Sequence, residues 1–174
     1  MTDHDHSNCG GPDAPDLAFA RHDHGSCSAE GLARAEAMVA QKGLRMTPVR
    51  RRTLEILLEG HRALGAYEVL ERLAAEGFGN QPPVAYRALE FLTEQGLAHR
   101  IQRLNAFTAC MHTGEAHAPV FLICRDCNLV SEAASVPVQT ALAEQAAEMG
   151  FVIERSTIEA LGLCPQCQSA EVRA

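Results

Sequence analysis

Pro82-Pro83-Val84-Ala85-Tyr86-Arg87-Ala88-Leu89-Glu90-Phe91-Leu92-Thr93-Glu94-Gln95-Gly96 is the stretch on which the fold turns. Proline lacks an N–H and fixes φ, so it opens helices and is excluded from their interior. Beyond the two prolines, Ala85, Ala88, Leu89 and Leu92 recur at helical spacing, and Gly96 suits the position after the last turn. A helix from Pro82 to about Gln95 is expected. Upstream, Val69, Leu70 and Leu73 mark another helix from about Ala66 to Glu76, closed by Gly77. Downstream, Leu97 to Arg103 and Phe107 to Cys110 read as two short strands around Leu104-Asn105-Ala106. Two helices on a short link, followed by a hairpin, predict a winged helix-turn-helix. In that arrangement the N-terminal residues of the second helix reach base edges in the major groove. Here they are Val84, Ala85, Tyr86 and Arg87. Arg87 can donate two hydrogen bonds to guanine, and Tyr86 and Tyr67 can meet a thymine methyl or a phosphate. Each also has a local reading, as an exposed helix arginine or as half-buried packing tyrosines.

Towards the N-terminus, Leu32, Ala35, Met38 and Val39 predict a helix over 29–42, closed by Gly43. Thr47 then serves as N-cap and Pro48 as first residue of a helix whose inner face is Leu54, Leu57 and Leu58. Arg50, Arg51 and Arg52 fall in its first turns, where the helix dipole disfavours cations. Nearby phosphates would account for them, and so would a solvated face. The formal net charge is −7, but residues 42–103 hold 10 of the 15 Lys and Arg against 7 carboxylates. A local basic face matters more for phosphate binding than the total.

Towards the C-terminus lie two thiol pairs, Cys124-Arg125-Asp126-Cys127 and Cys164-Pro165-Gln166-Cys167. Each Cys-x2-Cys turn points two sulfurs the same way, and two such turns complete a tetrahedral four-thiolate site whose usual occupant is Zn²⁺. Disulfides or a redox Cys-x2-Cys are the competing readings. The N-terminus has no secretory signal pattern and no apolar run nears membrane-spanning length, so a reducing, cytoplasmic address is expected. Around the pairs, Pro119 to Cys124 and Asn128 to Glu132 read as strands, Val138, Leu142, Ala146 and Met149 as a helix stripe, and Phe151 to Ile158 as a further strand. An edge strand there can extend its sheet across a two-fold axis into a homodimer.

The expected fold class is therefore α+β: an N-terminal winged helix-turn-helix domain (29–110), a hinge (111–118) and a small zinc-stapled α/β dimerisation domain (119–174). Residues 1–28 are polar, contain His4, His6, Cys9, His22, His24 and Cys27, and read as a disordered tail with a weak metal-scavenging alternative. A second metal-capable set, His99, Cys110, His117 and Glu132, brackets the hinge, with His112 as a substitute. Two imidazoles, a thiolate and a carboxylate suffice for a tetrahedral Zn²⁺, and the thiolate favours zinc over harder ions. Alternatively, His99 and His117 are surface histidines and Cys110 a buried apolar residue. No Ser/His/Asp, phosphate-loop or paired-carboxylate pattern points to an enzyme. Thiol oxidoreduction at Cys124 and Cys127, and zinc buffering by the tail, are the remaining alternatives.

Arg45-Met46-Thr47-Pro48-Val49-Arg50 resembles the R-x-T-x-x-R opening of the ferric uptake regulator family, and 82–89 resembles its recognition-helix motif. The paired cysteines match that family's structural zinc. Ala66-Tyr67, the 86–92 run and Glu159-Ala160-Leu161-Gly162-Leu163-Cys164 are similar to its zinc uptake branch. The resemblance spans roughly 29–168. It implies a homodimer that represses zinc uptake genes by binding a palindromic double-stranded DNA operator through Arg45, Arg50, Tyr67, Tyr86 and Arg87. It also implies two Zn²⁺ per chain, one structural and one regulatory, the latter on His99, Cys110, His117 and Glu132. An iron- or peroxide-responsive regulator of the same family is the runner-up. Val84 and Ala85 depart from the usual recognition-helix residues, and the family's His-rich run is reduced to His112 and His117, which favours zinc over iron.

Overall fold

The computed structural model describes residues 24–114, 118–133 and 136–171. His4, His6, Cys9, His22 and His117 lie outside them. The first helix, α1 (His24–Gln41), begins inside the stretch expected to be tail. After it come α2 (Pro48–Leu58), a two-residue strand β1 (Leu64–Gly65), α3 (Ala66–Ala75), α4 (Pro82–Glu94), β2 (Ala98–Ile101) and β3 (Ala106–Ala109). Thr47 caps α2, its hydroxyl accepting from Arg50 N–H at 3.4 Å, with Pro48 in the first turn. Glu68 reaches back to Gly65 N–H at 2.7 Å, half of a capping box, since glycine has no side chain to return the bond.

Leu54, Leu57, Val69, Leu73, Leu89 and Leu92 meet in one core under a three-stranded antiparallel sheet of order β1-β3-β2. β1 is too short for a hydrophobic alternation to reveal it. The hairpin β2–β3 is the wing, and Asn105 makes its turn at φ 47°.

The second sheet contains β4 (Val120–Cys124), β5 (Val130–Ala133) and β6 (Ile158–Gly162) in order β5-β4-β6. β5 runs antiparallel to β4 and β6 parallel to it, the chain crossing over through α5 (Val136–Glu148); α6 (Pro165–Glu171) follows. The expected strand at 151–158 is displaced to Ile158–Gly162. Phe151 and Val152 stand 66% and 82% exposed. The register Cys124↔Gly162 makes the pairing segment the one leading straight into the second thiol pair. The stripe expected on α5 is present, but only Ala146 is buried; Val138, Leu142 and Met149 are exposed, with no layer over them among the described residues.

Packing crosses the boundary drawn at 111–118. Ala63, Ile101 and Ala106 of the first unit share a buried cluster with Phe121, Ile123 and Val130 of the second. A bridge between Arg62 and Leu129, and a 2.7 Å bond from Val130 N–H to the His61 carbonyl, join the same two units.

Candidate metal centres and nucleic-acid interface

Cys124 ends β4, and the chain turns back through Asn128 in the left-handed region (φ 57°), a conformation asparagine tolerates. Cys164 follows β6 and Cys167 lies in the first turn of α6. Parallel pairing of β4 and β6 sets the two turns side by side, and the four sulfurs lie within 4.8 Å of one another, Cys127 and Cys164 at 3.8 Å. Burial pushes the Cys124 thiol up, but the N–H groups of Cys164, Cys127 and Asp126 aimed at its sulfur outweigh that and bring it down to about 6. Burial chiefly pushes Cys127 up, and crowding by Cys164 chiefly pushes Cys167 up. The Cys124 thiolate is favoured, while Cys127 and Cys167 are pushed towards keeping their protons. A divalent cation relieves that crowding, so the donor set fits a four-thiolate zinc centre.

The other cluster among the described residues is His99, Cys110 and Glu132, their ligand atoms also within 4.8 Å of one another. His99 lies on β2. Cys110 directly follows β3, its N–H bonded to the Leu97 carbonyl at 3.0 Å, which continues the hairpin register. Glu132 comes from β5 in the other sheet. His99 Nε2 is 3.2 Å and Cys110 Sγ 3.9 Å from Glu132 Oε1, while Met111 N–H donates to Oε2 at 3.0 Å. The Glu132 side chain is 3% exposed. Burial pushes its carboxyl up, but His112, His99 and the Met111 N–H hold it well below the usual carboxylate range. Burial, then the Glu132 charge, pushes the Cys110 thiol well above its ordinary range. A thiol and a carboxylate held this close cannot both be anions without a cation between them. Imidazole, thiol and carboxylate fit zinc. His112 Nδ1 stands 3.7 Å from the same Glu132 oxygen.

On the winged unit, Tyr67 and Tyr86 are 68% and 46% exposed and meet edge to face at 6.5 Å. Arg87 and Arg45 are exposed. Tyr67, Tyr86, Glu90, Arg100 and Asn105 line a cleft of about 650 Å³ between α4 and the wing. Arg100, held by Asn105 at 2.6 Å, is a cation facing this cleft that the sequence reading passed over; its only signal was a basic residue on a wing strand. Arg50 is half-buried, its guanidinium 3.6 Å over the Phe91 ring and 2.7 Å from the Arg45 carbonyl. Arg51 pairs with Glu36 and Glu55, and Arg52 with Glu55, Glu59 and Glu76. Those ion pairs give both cations acidic partners within the fold.

A model of the ferric uptake regulator family matches residues 41–161. The zinc uptake regulation protein of Escherichia coli (strain K12) is 36% identical over 143 residues, 82% of this chain and 84% of its own. A zinc uptake regulator solved in complex with zinc and DNA superposes with a TM-score of 0.77 at 35% identity, covering 83% of this chain and 97% of that one. The structure of holo XcZur gives 0.73 at 33% identity, with 80% and 98% covered.

Proposed function

Because the chain belongs to the ferric uptake regulator family, we propose that it is a zinc-responsive transcriptional repressor. It binds a palindromic DNA operator as a homodimer when its regulatory site is filled and so represses zinc uptake genes. The observation that carries this reading is the meeting of His99, Cys110 and Glu132, three ligand types contributed by both sides of the joint between wing and second sheet. The domain limits that go with it are a winged-helix domain at 29–110, a hinge at 111–118 and a dimerisation domain at 119–174. Two zinc ions per chain are proposed. Cys124, Cys127, Cys164 and Cys167 hold the structural one. His99, Cys110 and Glu132 hold the regulatory one, with a fourth ligand from the hinge. There the family resemblance favours His117, and the distance to Glu132 makes His112 its rival.

When bound at the joint, zinc supplies a crosslink and the positive charge that lets thiolate and carboxylate coexist. His99 and Cys110 carry the wing, and Glu132 carries β5. Phe121, fully buried with its ring 5.3 Å from His99, gives the imidazole a firm floor. An open joint offers an incomplete ligand set, so occupancy favours the closed one. Moving a population from 1:99 to 99:1 takes roughly 5.5 kcal/mol of preferential binding. In a dimer this sets the separation of two α4 helices, and only a matching separation fits half-sites about one helical turn or a multiple apart. Exposed Leu142, Met149, Phe151 and Val152 supply an apolar face for the second copy. Tyr67, Tyr86, Arg87 and Arg45 make the DNA contacts, with Arg50 bracing the backbone at Arg45. Family membership implies a regulator rather than an enzyme, and a cytoplasmic location follows from that role. No helix among the described residues is long and apolar enough to cross a membrane.

A thiolate in the site supports zinc over iron. The test is a titration of binding to a duplex selected from a random-sequence pool, with zinc and with ferrous iron under anaerobic conditions. Zinc is expected to activate at the lower free concentration. Activation by iron at lower free metal would replace this reading with that of an iron sensor.

A further inference from the structure

Glu132 is one of two carboxylates that the second sheet presents to the wing. Phe121, in the middle strand, pairs with Glu132 of β5 on one side and with Glu159 of β6 on the other. Residues in one cross-strand row share a face of the sheet. Glu132 meets the base of the wing, at His99 and Cys110. Glu159 meets its tip: Oε1 accepts from Gln102 N–H at 2.7 Å and Oε2 from Arg103 N–H at 3.0 Å. These two amides stand just beyond the last paired residues of the hairpin, Ile101 and Ala106, where the wing begins its turn. Bonds from N–H groups to an ionised carboxylate are roughly twice as strong as neutral ones. Between the two ends, Ile101, Ala106 and Leu104 pack on Phe121 and Ile123.

We infer that Glu159 is a positioning residue of the regulatory switch, a clamp that fastens the wing tip to β6 in the closed joint through groups that are not metal ligands. The inference rests on the repressor reading above and adds to it a part outside the metal site. With tip and base fastened to one row of the sheet, the wing and the α4 helix behind it move with the dimerisation domain as a unit. Without the tip contact, metal capture at the base leaves the hairpin free to pivot about Ile101 and Ala106. The separation of the two recognition helices is then less sharply set. Both Glu159 oxygens are taken up by the wing-tip amides and Glu159 belongs to neither ligand group, so its loss acts on the coupling between metal and DNA rather than on a ligand.

The test uses the full-length, zinc-loaded protein, Glu159→Ala and Glu159→Gln. Zinc content at the four-thiolate centre is measured in each. Amide exchange of Gln102 and Arg103 is followed without DNA, and affinity for a duplex that the wild-type protein selects from a random pool is measured at saturating zinc. In Glu159→Ala the two amides are expected to exchange about tenfold faster and duplex affinity to fall about tenfold, with structural zinc retained. Glu159→Gln, which keeps the shape and loses the charge, is expected to fall between. By reciprocity, the gain in zinc affinity that DNA confers shrinks by the same factor as the gain in DNA affinity that zinc confers. Unchanged exchange at Gln102 and Arg103 in both variants, or unchanged duplex affinity, overturns the clamp. If the wild-type protein selects no duplex with zinc, the repressor reading fails, and the exchange comparison still decides whether the clamp exists.

Discussion

The two candidate metal centres are built from similar donors and differ in where the donors come from. All four sulfurs of one belong to turns at the ends of β4 and β6, neighbouring strands of one sheet. The other takes His99 and Cys110 from the wing hairpin and Glu132 from the opposite sheet. A site within one sheet can only stabilise that sheet. A site across a joint makes the relative placement of two units depend on occupancy. The backbone amides aimed at Cys124 prepare a thiolate before any metal arrives. At the joint, burial and the Glu132 charge keep Cys110 protonated until one does. Ligand location, more than ligand chemistry, separates a staple from a switch.

The largest expected effect is at the staple. Cys164→Ser should cost the second unit its metal, worth on the order of 10 kcal/mol in small zinc domains. The chain should lose about one equivalent of zinc, its dimer and the fold of β4–β6, read by metal analysis, sedimentation and thermal melting. A folded dimer would show that the centre is not a staple. Cys110→Ser comes next. It should leave melting and the four-thiolate zinc in place and abolish the zinc-dependent gain in operator affinity, a gain that in coupled systems is typically about 5–150-fold. Normal zinc-dependent binding by this variant would remove the distinction between the centres. Arg87→Ala should weaken operator binding by about 1–3 kcal/mol while both centres load zinc as before, placing the readout outside the metal chemistry.

The smallest effect is a pH slope. Because the Cys110 thiol lies above its ordinary range, it is protonated at neutral pH and metal capture expels one proton. Glu132, held below its ordinary range, is already ionised and adds no slope there. Zinc affinity at the joint should therefore rise about tenfold per pH unit between roughly pH 7 and 8, and the slope should flatten in Cys110→Ala. A titration series with a competing chelator measures it. In the metal-free protein Glu132 contributes a stability slope of the same sign, but in the acid range. Its contribution to stability is present above the unfolded carboxyl value and is lost as pH falls through the lower folded value.

What was legible followed from local chemistry. Thr47-Pro48 starts a helix wherever it lies, and Pro82-Pro83 with Gly96 brackets another. Features that depend on a neighbour were missed or displaced. β1 exists only because β3 lies beside it, and the strand expected at 151–158 moved to 158–162 because β4 needed a parallel partner ending at the thiols. Arg51 and Arg52 suggested phosphates because their acidic partners, Glu36 and Glu76, come from other helices.

Four cysteines at paired spacing, a helix opened by two prolines and a basic window between acidic flanks are written in the order of residues. They pointed to the class of fold and to each thiol pair, since each is local in the chain; bringing the two pairs together was left to the pairing of β4 with β6. That Glu132 and Glu159 flank Phe121 and face opposite ends of the same wing was decided by strand register alone. Register is settled when whole sheets choose which apolar face to bury, and no short window of residues carries that choice.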